Sequence, residues 1–273
     1  MTTVHSVSAR SGPASSLPPV STPAILIRRT EYGDADLIVT FFSFGLGKLS
    51  LMAKSAKKSV RRFAGLLELF TELDIVAGAG RRGGLALLQE AALRNPYPAI
   101  RQDPSKTAYA SYWAELVNDW MEEGIENSEV FLLLRHVLDA LDTGTPSPAA
   151  LSILFQMRLL RISGHCPHLG RCVICRCDIE GILAEMLSVE IARGGVACPG
   201  CLPPDAGSHR LSKGTAKQLL WVAGGDLARA GRMKFTPRAL REGQTFLECF
   251  VPYHLGRVPR SLKVLRQLRG DEV

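Results

Sequence analysis

Residues 48–63 read KLSLMAKSAKKSVRRF, and two signals share the stretch. The first seven positions alternate, placing Leu49, Leu51 and Ala53 on one face, which is the period of a half-buried β-strand. The rest is basic. Lys48, Lys54, Lys57, Lys58, Arg61 and Arg62 all fall here, and no acid follows until Glu68. A strand that runs into a basic loop without counter-charge decides how its neighbours are read.

Working outward, the period-2 pattern predicts strands over Ala24–Thr30, Leu37–Phe44, Lys48–Lys54, Leu66–Val76 and Leu85–Leu93. Glu31-Tyr32-Gly33-Asp34, Gly45-Leu46-Gly47 and the glycine-rich Gly78–Gly84 read as turns. A chain with five short strands must remove its sheet edges, and a small closed barrel does so. After Asn95-Pro96 the period becomes helical. Tyr109, Trp113, Leu116, Val117 and Trp120 share one helical face, with Pro104 as a first helical residue. Val130, Leu133, Leu134, Val137, Leu138 and Leu141 share a second face, and Pro148–Ile162 forms a third helix. Gly214–Ala223 and Pro237–Val251 read as further helices, the last capped by Thr236. No solenoid repeat is visible. The expected fold class is therefore α+β: a disordered Ser/Thr/Pro-rich extension over 1–23, a five-stranded barrel over 24–95, and a helical domain over 96–273.

The chain has 273 residues and a net charge of +7, and its charge is polarised along its length. Residues 24–95 and 211–273 are basic, whereas 96–164 are acidic. No apolar run reaches the roughly 18 residues of a membrane span. The N-terminus lacks the apolar segment of a secretory signal. Six of the seven cysteines lie between Cys166 and Cys201, which points to a metal site in a reducing, cytoplasmic compartment rather than a disulfide framework.

Cys172-Val-Ile-Cys175 and Cys198-Pro-Gly-Cys201 are two C-x2-C pairs, each able to offer two thiolates from one tight turn. Together they predict one structural zinc ion in a ribbon-like segment, 165–205. Gly181–Glu190 and Gly194-Gly195-Val196 fit a small hairpin between the pairs. A redox C-x-x-C or plain buried thiols are the competing readings. Cys166 and Cys177 read as spare thiols able to substitute for one ligand, and His165 and His168 as surface loop residues. Four cysteine ligands leave no open position for catalysis.

The basic loop beside exposed strands is the kind of groove that tracks a sugar-phosphate backbone. Lys48, Lys54, Lys57, Lys58, Arg61 and Arg62 are the candidate phosphate contacts. Arg28 and Arg29 are further candidates, and Arg81 and Arg82 extend the same surface. A solvated charge run is the bland alternative, but solubilising surfaces normally mix signs. A second basic run, Arg257, Arg260, Lys263, Arg266 and Arg269, suits nucleic acid, an acidic peptide or a docked terminal helix over Ser261–Leu268. Phe42 and Phe44 share one strand face and Phe41 the other; only the set on the outer face can stack bases, and alternation leaves open which set that is. There is no G-x-x-x-x-G-K-[ST], no dinucleotide fingerprint and no nucleophile–histidine pair, so the sequence offers no sign of an enzyme. The rival classes are a zinc-ribbon module for acidic proteins or RNA, and a nuclease with an unrecognised site.

The run AILIRRTEYGDADLIVTFFSFGLGKLSLMAKSAKKSVRRFAGLLELFTELDI resembles the start of the RecO family of bacterial recombination mediators. That family has a glycine turn with "GK" (here Gly47-Lys48), then "AKGA" (here Ala53 to Ala56) followed by basic and Ser-Arg positions (here Ser59 to Phe63). LLRISGHCPHLGRCVIC…GGVACPGC resembles the family's zinc region, and YHLGRVPRSLKVLRQL its C-terminal helix. The resemblance covers about residues 24–269. It implies an OB-fold followed by a helical zinc-carrying domain. It further implies binding of single- and double-stranded DNA, annealing of complementary strands, and help to RecR in loading RecA on strands coated with single-strand binding protein. The family also contacts the acidic tail of that protein. A cytoplasmic, nucleoid-associated place follows. Two positions depart from the pattern: Ser55 stands where "AKGA" has glycine, and Arg176-Cys177 follows the first cysteine pair where glycine is common.

Overall fold

In β1 (Val20–Tyr32), Ala24 and Leu26 point into one apolar core while Ile25 and Ile27 point into another. This division organises the molecule, whose computed structural model describes residues 20–59, 62–78, 84–203 and 209–270. Next come β2 (Asp36–Ser43), β3 (Gly47–Ala53), β4 (Glu72–Gly78) and β5 (Ala86–Asn95). The five strands close into a barrel in the order β1-β2-β3-β5-β4. Every pairing is antiparallel except the β3–β5 seam, where Leu51 faces Ala86 and Met52 faces Leu87 in parallel. This is an OB-type barrel. Leu26, Val39, Phe41, Leu51, Leu73, Ile75 and Leu88 fill it.

Two strand expectations shift. β1 starts at Val20, because Val20–Pro23 pair with Ala77–Asp74 of β4; long-range pairing overrides a local composition that reads as disorder. The remainder of the expected extension lies outside the described residues. β4 starts at Glu72 rather than Leu66. The apolar residues before it form a plug with two faces. Leu67 closes the barrel core, Phe70 joins the other core, and Arg29 donates to the Leu67 carbonyl at 2.9 Å.

The helical domain contains α1 (Pro98–Gln102), α2 (Pro104–Trp120), α3 (Ser128–Thr143) and α4 (Pro148–Ile162). A small sheet follows, with β6 (Met186–Glu190) between β7 (Gly195–Ala197) and β8 (Arg210–Ser212). The β6–β7 hairpin is the one expected from the glycines, whereas β8 is too short to carry a sequence signal. α5 (Lys213–Ala223), α6 (Leu227–Gly231), α7 (Pro237–Leu255) and α8 (Arg260–Arg269) complete the fold. Asp103, Asn127, Ser147, Ser212 and Thr236 each cap their own helix. Pro259, ahead of α8, supplies no cap; Glu115 of α2 accepts from the Arg260 and Ser261 amides at 3.0 and 2.8 Å instead.

The barrel and the helical domain share a core. Ile25, Ile27, Phe42 and Phe70 join the cluster around Trp113, Phe131 and Phe155, and Phe44 meets Phe131 edge-on at 5.7 Å. Of the aromatics offered for base stacking, Phe42 is spent on domain packing and Phe41 on the barrel core, while Phe44 stays partly exposed. The turn between α2 and α3 runs along the open edge of β3. Gly124 donates to the Lys48 carbonyl at 2.9 Å, and Ser50 donates its amide to Glu123 at 2.9 Å. Gly47, at φ +63°, must be glycine, since a Cβ there would lie 1.9 Å from the Ile125 oxygen.

Candidate nucleic-acid interface and metal centre

The basic loop leaves β3 through Lys54 and Ser55, makes a single 3-10 turn over Ala56–Lys58, and docks on the β1–β2 turn. Lys57 donates its amide to Ala35 at 3.0 Å and Ser55 donates its amide to Asp36 at 2.7 Å. The counter-charge missing from the sequence arrives from elsewhere in the fold. Lys57 pairs with Glu31 at 2.8 Å and Arg29 with Glu68 at 3.2 Å. Lys48 turns inward and donates to the Asn118 carbonyl at 2.6 Å, so its ammonium ties β3 to the end of α2. Arg62 lies over the Phe63 ring and donates to the Leu88 carbonyl. Arg28, Lys54 and Lys58 are exposed and have no ion-pair partner among the described residues. Arg61, Arg81 and Arg82 lie outside the described residues.

The C-terminal basic run is largely spoken for. Arg257 pairs with Asp119 and Glu115, while Arg266 and Arg269 both pair with Glu248. Leu262 and Leu265 are buried in the helical core, but Val264 and Leu268 are exposed. The side chains of Arg260 and Lys263 remain exposed without an ion-pair partner among the described residues.

The thiols converge beside the β6–β7 hairpin. The sulfur atoms of Cys172, Cys175, Cys177 and Cys198 all lie within 4.8 Å of one another. Cys175 is 3.3 Å from Cys177 and 3.7 Å from Cys198. Cys201 touches the same group: hydrogen bonds to the Cys175 and Cys198 sulfurs push its thiol up to about 12. Burial alone would raise the Cys172 thiol, but donation from the Cys198, Cys175 and Ile174 amides outweighs it and brings the group down to about 6. A thiolate at neutral pH ringed by other sulfurs is the donor set of a closed tetrahedral metal site. Cys177 is therefore part of the cluster, placed where it can substitute for one ligand. Cys166 stands apart against the helical core, its thiol raised by burial. His165 is half-buried rather than a plain surface residue. Its ring packs at a tilt between Trp120 and His254 at 5.7 and 5.3 Å, while His168 uses its backbone to bridge β7.

Two family models fit this architecture half by half. "Recombination protein O N terminal" matches residues 18–97 and "Recombination protein O C terminal" matches residues 101–263. The chain belongs to the RecO family. A protein named DNA repair protein RecO from Desulfatibacillum aliphaticivorans is 45% identical over 254 residues, covering 93% of this chain and 98% of the relative. A second of that name, from Desulfosudis oleivorans, is 44% identical over 258 residues, covering 93% and 99%. A third, from Syntrophus aciditrophicus, is 32% identical over 250 residues, covering 91% and 95%. No helix among the described residues is long and apolar enough to cross a membrane.

The structure explains the RecO motifs residue by residue. Gly47-Lys48 is a joint between domains. Ser55 and Arg176, the two departures, sit at φ +54° and +66°, the left-handed region in which glycine is unstrained. Both positions keep the backbone that a glycine would take. What the sequence hid is the acidic partners: Glu115, Asp119 and Glu123 lie in the acidic segment 96–164.

Proposed function

We propose that this chain is a DNA-binding recombination mediator that acts without a catalytic group of its own. The observation that carries this is the set of exposed cations without ion-pair partners on the barrel, Arg28, Lys54 and Lys58. Lys54 and Lys58 belong to the loop that Glu31 holds through Lys57 and Asp36 through the Ser55 amide. Such a surface neutralises phosphates without reading sequence. Lys57, Arg29, Arg62 and Arg61 supply the flanks, while Lys48 acts through domain packing. Annealing two complementary strands needs charge neutralisation on both at once, and Arg260 with Lys263 offers a second basic surface. On this reading the chain binds single- and double-stranded DNA and works with RecR to load RecA where single-strand binding protein covers the strand. The acidic tail of that protein meets the basic C-terminal region. The work is cytoplasmic, at the nucleoid.

The metal is zinc and its role is structural. Cys172, Cys175 and Cys198 supply three thiolates, and the fourth comes from the adjacent pair Cys177 and Cys201. When bound, the ion fixes the two cysteine turns against the β6–β7 hairpin.

Salt-dependent anisotropy on an unstructured labelled single strand tests the DNA reading. A slope of log affinity against log salt of about −3 to −4 corresponds to roughly five neutralised phosphates. Lys54→Glu/Lys58→Glu is expected to lose at least ~1.4 of that slope with unchanged melting. Absence of binding, or identical slopes, would refute the reading.

A further inference from the structure

Three irregularities meet at one place between the two domains. The β1–β2 register slips between Leu26 and Arg28, a bulge that re-aims the side chains after it. Phe70, directly across, sits at φ +71°, a conformation that a bulky residue rarely tolerates outside a constrained site. Between them opens a cleft of about 490 Å³, in the size range of small-ligand sites. Ile27, Leu69, Phe70 and Ala114 give it apolar walls, and Arg28 from the barrel and Arg260 from the start of α8 both line it. Neither arginine side chain has an ion-pair partner among the described residues. Arg29 lines both this cleft and a neighbouring depression formed with Lys57 and Ser59. Glu31 and Glu68 line that depression too and pair with Lys57 and Arg29, so the unpaired charge of the cleft is that of Arg28 and Arg260.

We infer that the interdomain cleft takes one unstacked nucleotide of a DNA single strand, its base against the apolar wall and its flanking phosphates on Arg28 and Arg260. The inference rests on the DNA-binding reading above and adds a discrete pocket to it. An apolar wall between two cations suits a base only when that base is free of its stack, which a single strand provides and a duplex does not. Glu115 and Asp119 also line the cleft and pair with Arg257. Neither domain forms the pocket alone, so the clamp between them positions it.

The test uses the full chain and an oligo-dT strand carrying one 2-aminopurine. On wild type, the 2-aminopurine emission is expected to change on binding, and a duplex of the same sequence is expected to leave it unchanged. Arg28→Ala/Arg260→Ala, two exposed residues, is expected to lose ~1.4 of the salt slope together with the emission change. Arg28→Lys/Arg260→Lys is expected to keep the slope. Lys54→Ala/Lys58→Ala separates the two ideas: it is expected to weaken binding while the emission change at saturation persists. If the double-alanine variant keeps the wild-type slope and emission change while the loop variant weakens binding, the cleft is empty of DNA and the barrel reading stands. If an acidic peptide binds wild type through the two arginines while DNA binding ignores them, the pocket belongs to a peptide and the inference fails. If wild type binds no DNA, both fall together.

Discussion

Ser55 shows how much one backbone angle explains. Its φ of +54° and its amide bond to Asp36 set where the basic loop leaves β3, and its hydroxyl caps nothing. A non-glycine residue held in the left-handed region stores about 1 kcal/mol or more. Ser55→Gly is therefore expected to raise unfolding stability by about 0.5–1 kcal/mol, the strain released less the extra freedom of the unfolded chain. DNA affinity should stay unchanged. Urea denaturation beside anisotropy checks both, and a loss of stability would mean that the loop is not strained there. At this scale the sequence was legible for type and opaque for partner. Lys48 reads like its basic neighbours, and only the fold shows its ammonium turned to Asn118 while Lys54 and Lys58 have no ion-pair partner among the described residues. Nothing local marks a residue 70 positions away as its acceptor.

Helices here borrow carboxylates from one another. Glu115 of α2 closes the start of α8, and Glu242 of α7 accepts from Ser212 and Thr215 at the start of α5. Although burial acts to raise the Glu242 carboxyl, those hydroxyls and Arg238 bring it down to about 2 from an ordinary 4.5. A depressed carboxyl contributes stability that is complete above its unfolded value and is lost as pH falls through the folded one. The contribution should therefore fade between 4.5 and about 2. Glu242→Gln is expected to cost about 1–2 kcal/mol at neutral pH, and its gap to wild type should close across that window. A gap independent of pH would remove the capping role. The cysteine turns allow a second expectation, because five thiols surround a site that needs four. Cys177→Ser and Cys201→Ser should each retain one zinc per chain, Cys177→Ser/Cys201→Ser should lose it, and Cys172→Ser should lose it alone. Metal analysis of the purified variants decides. Full loss from Cys201→Ser alone would reduce Cys177 to a bystander. The C-x2-C spacing made two pairs readable, but Cys177 needed the left-handed turn at Arg176 to swing it back onto Cys175.

For the whole molecule, the polarised charge of the chain acts largely as joinery. The acidic stretch before residue 165 holds Arg257, the start of α8 and the edge of β3, and among the described residues Arg28 and Arg260 at the cleft and Lys54 and Lys58 in the basic loop are left without an ion pair. Most helices were legible from their caps and apolar period. The shared core was not, since alternation cannot say whether the outer face of β2 meets water or a second domain. That sharing has a thermodynamic consequence. Barrel and helical domain bury Ile25, Ile27, Phe42 and Phe70 in common, so wild type should unfold in one cooperative transition. Gly47 holds the joint: a methyl there collides with the Ile125 carbonyl at 1.9 Å and must also adopt φ +63°. Gly47→Ala is expected to cost at least ~2 kcal/mol, to expose the 121–127 turn to limited proteolysis, and to split calorimetric unfolding into two steps. Because the barrel surface itself is untouched, contacts of Lys54 and Lys58 with DNA should survive while any contribution that spans both domains weakens. A variant that melts like wild type in one step, with the turn still protected, would show that the common apolar core alone holds the two halves in register and that the β3 edge contributes nothing to it.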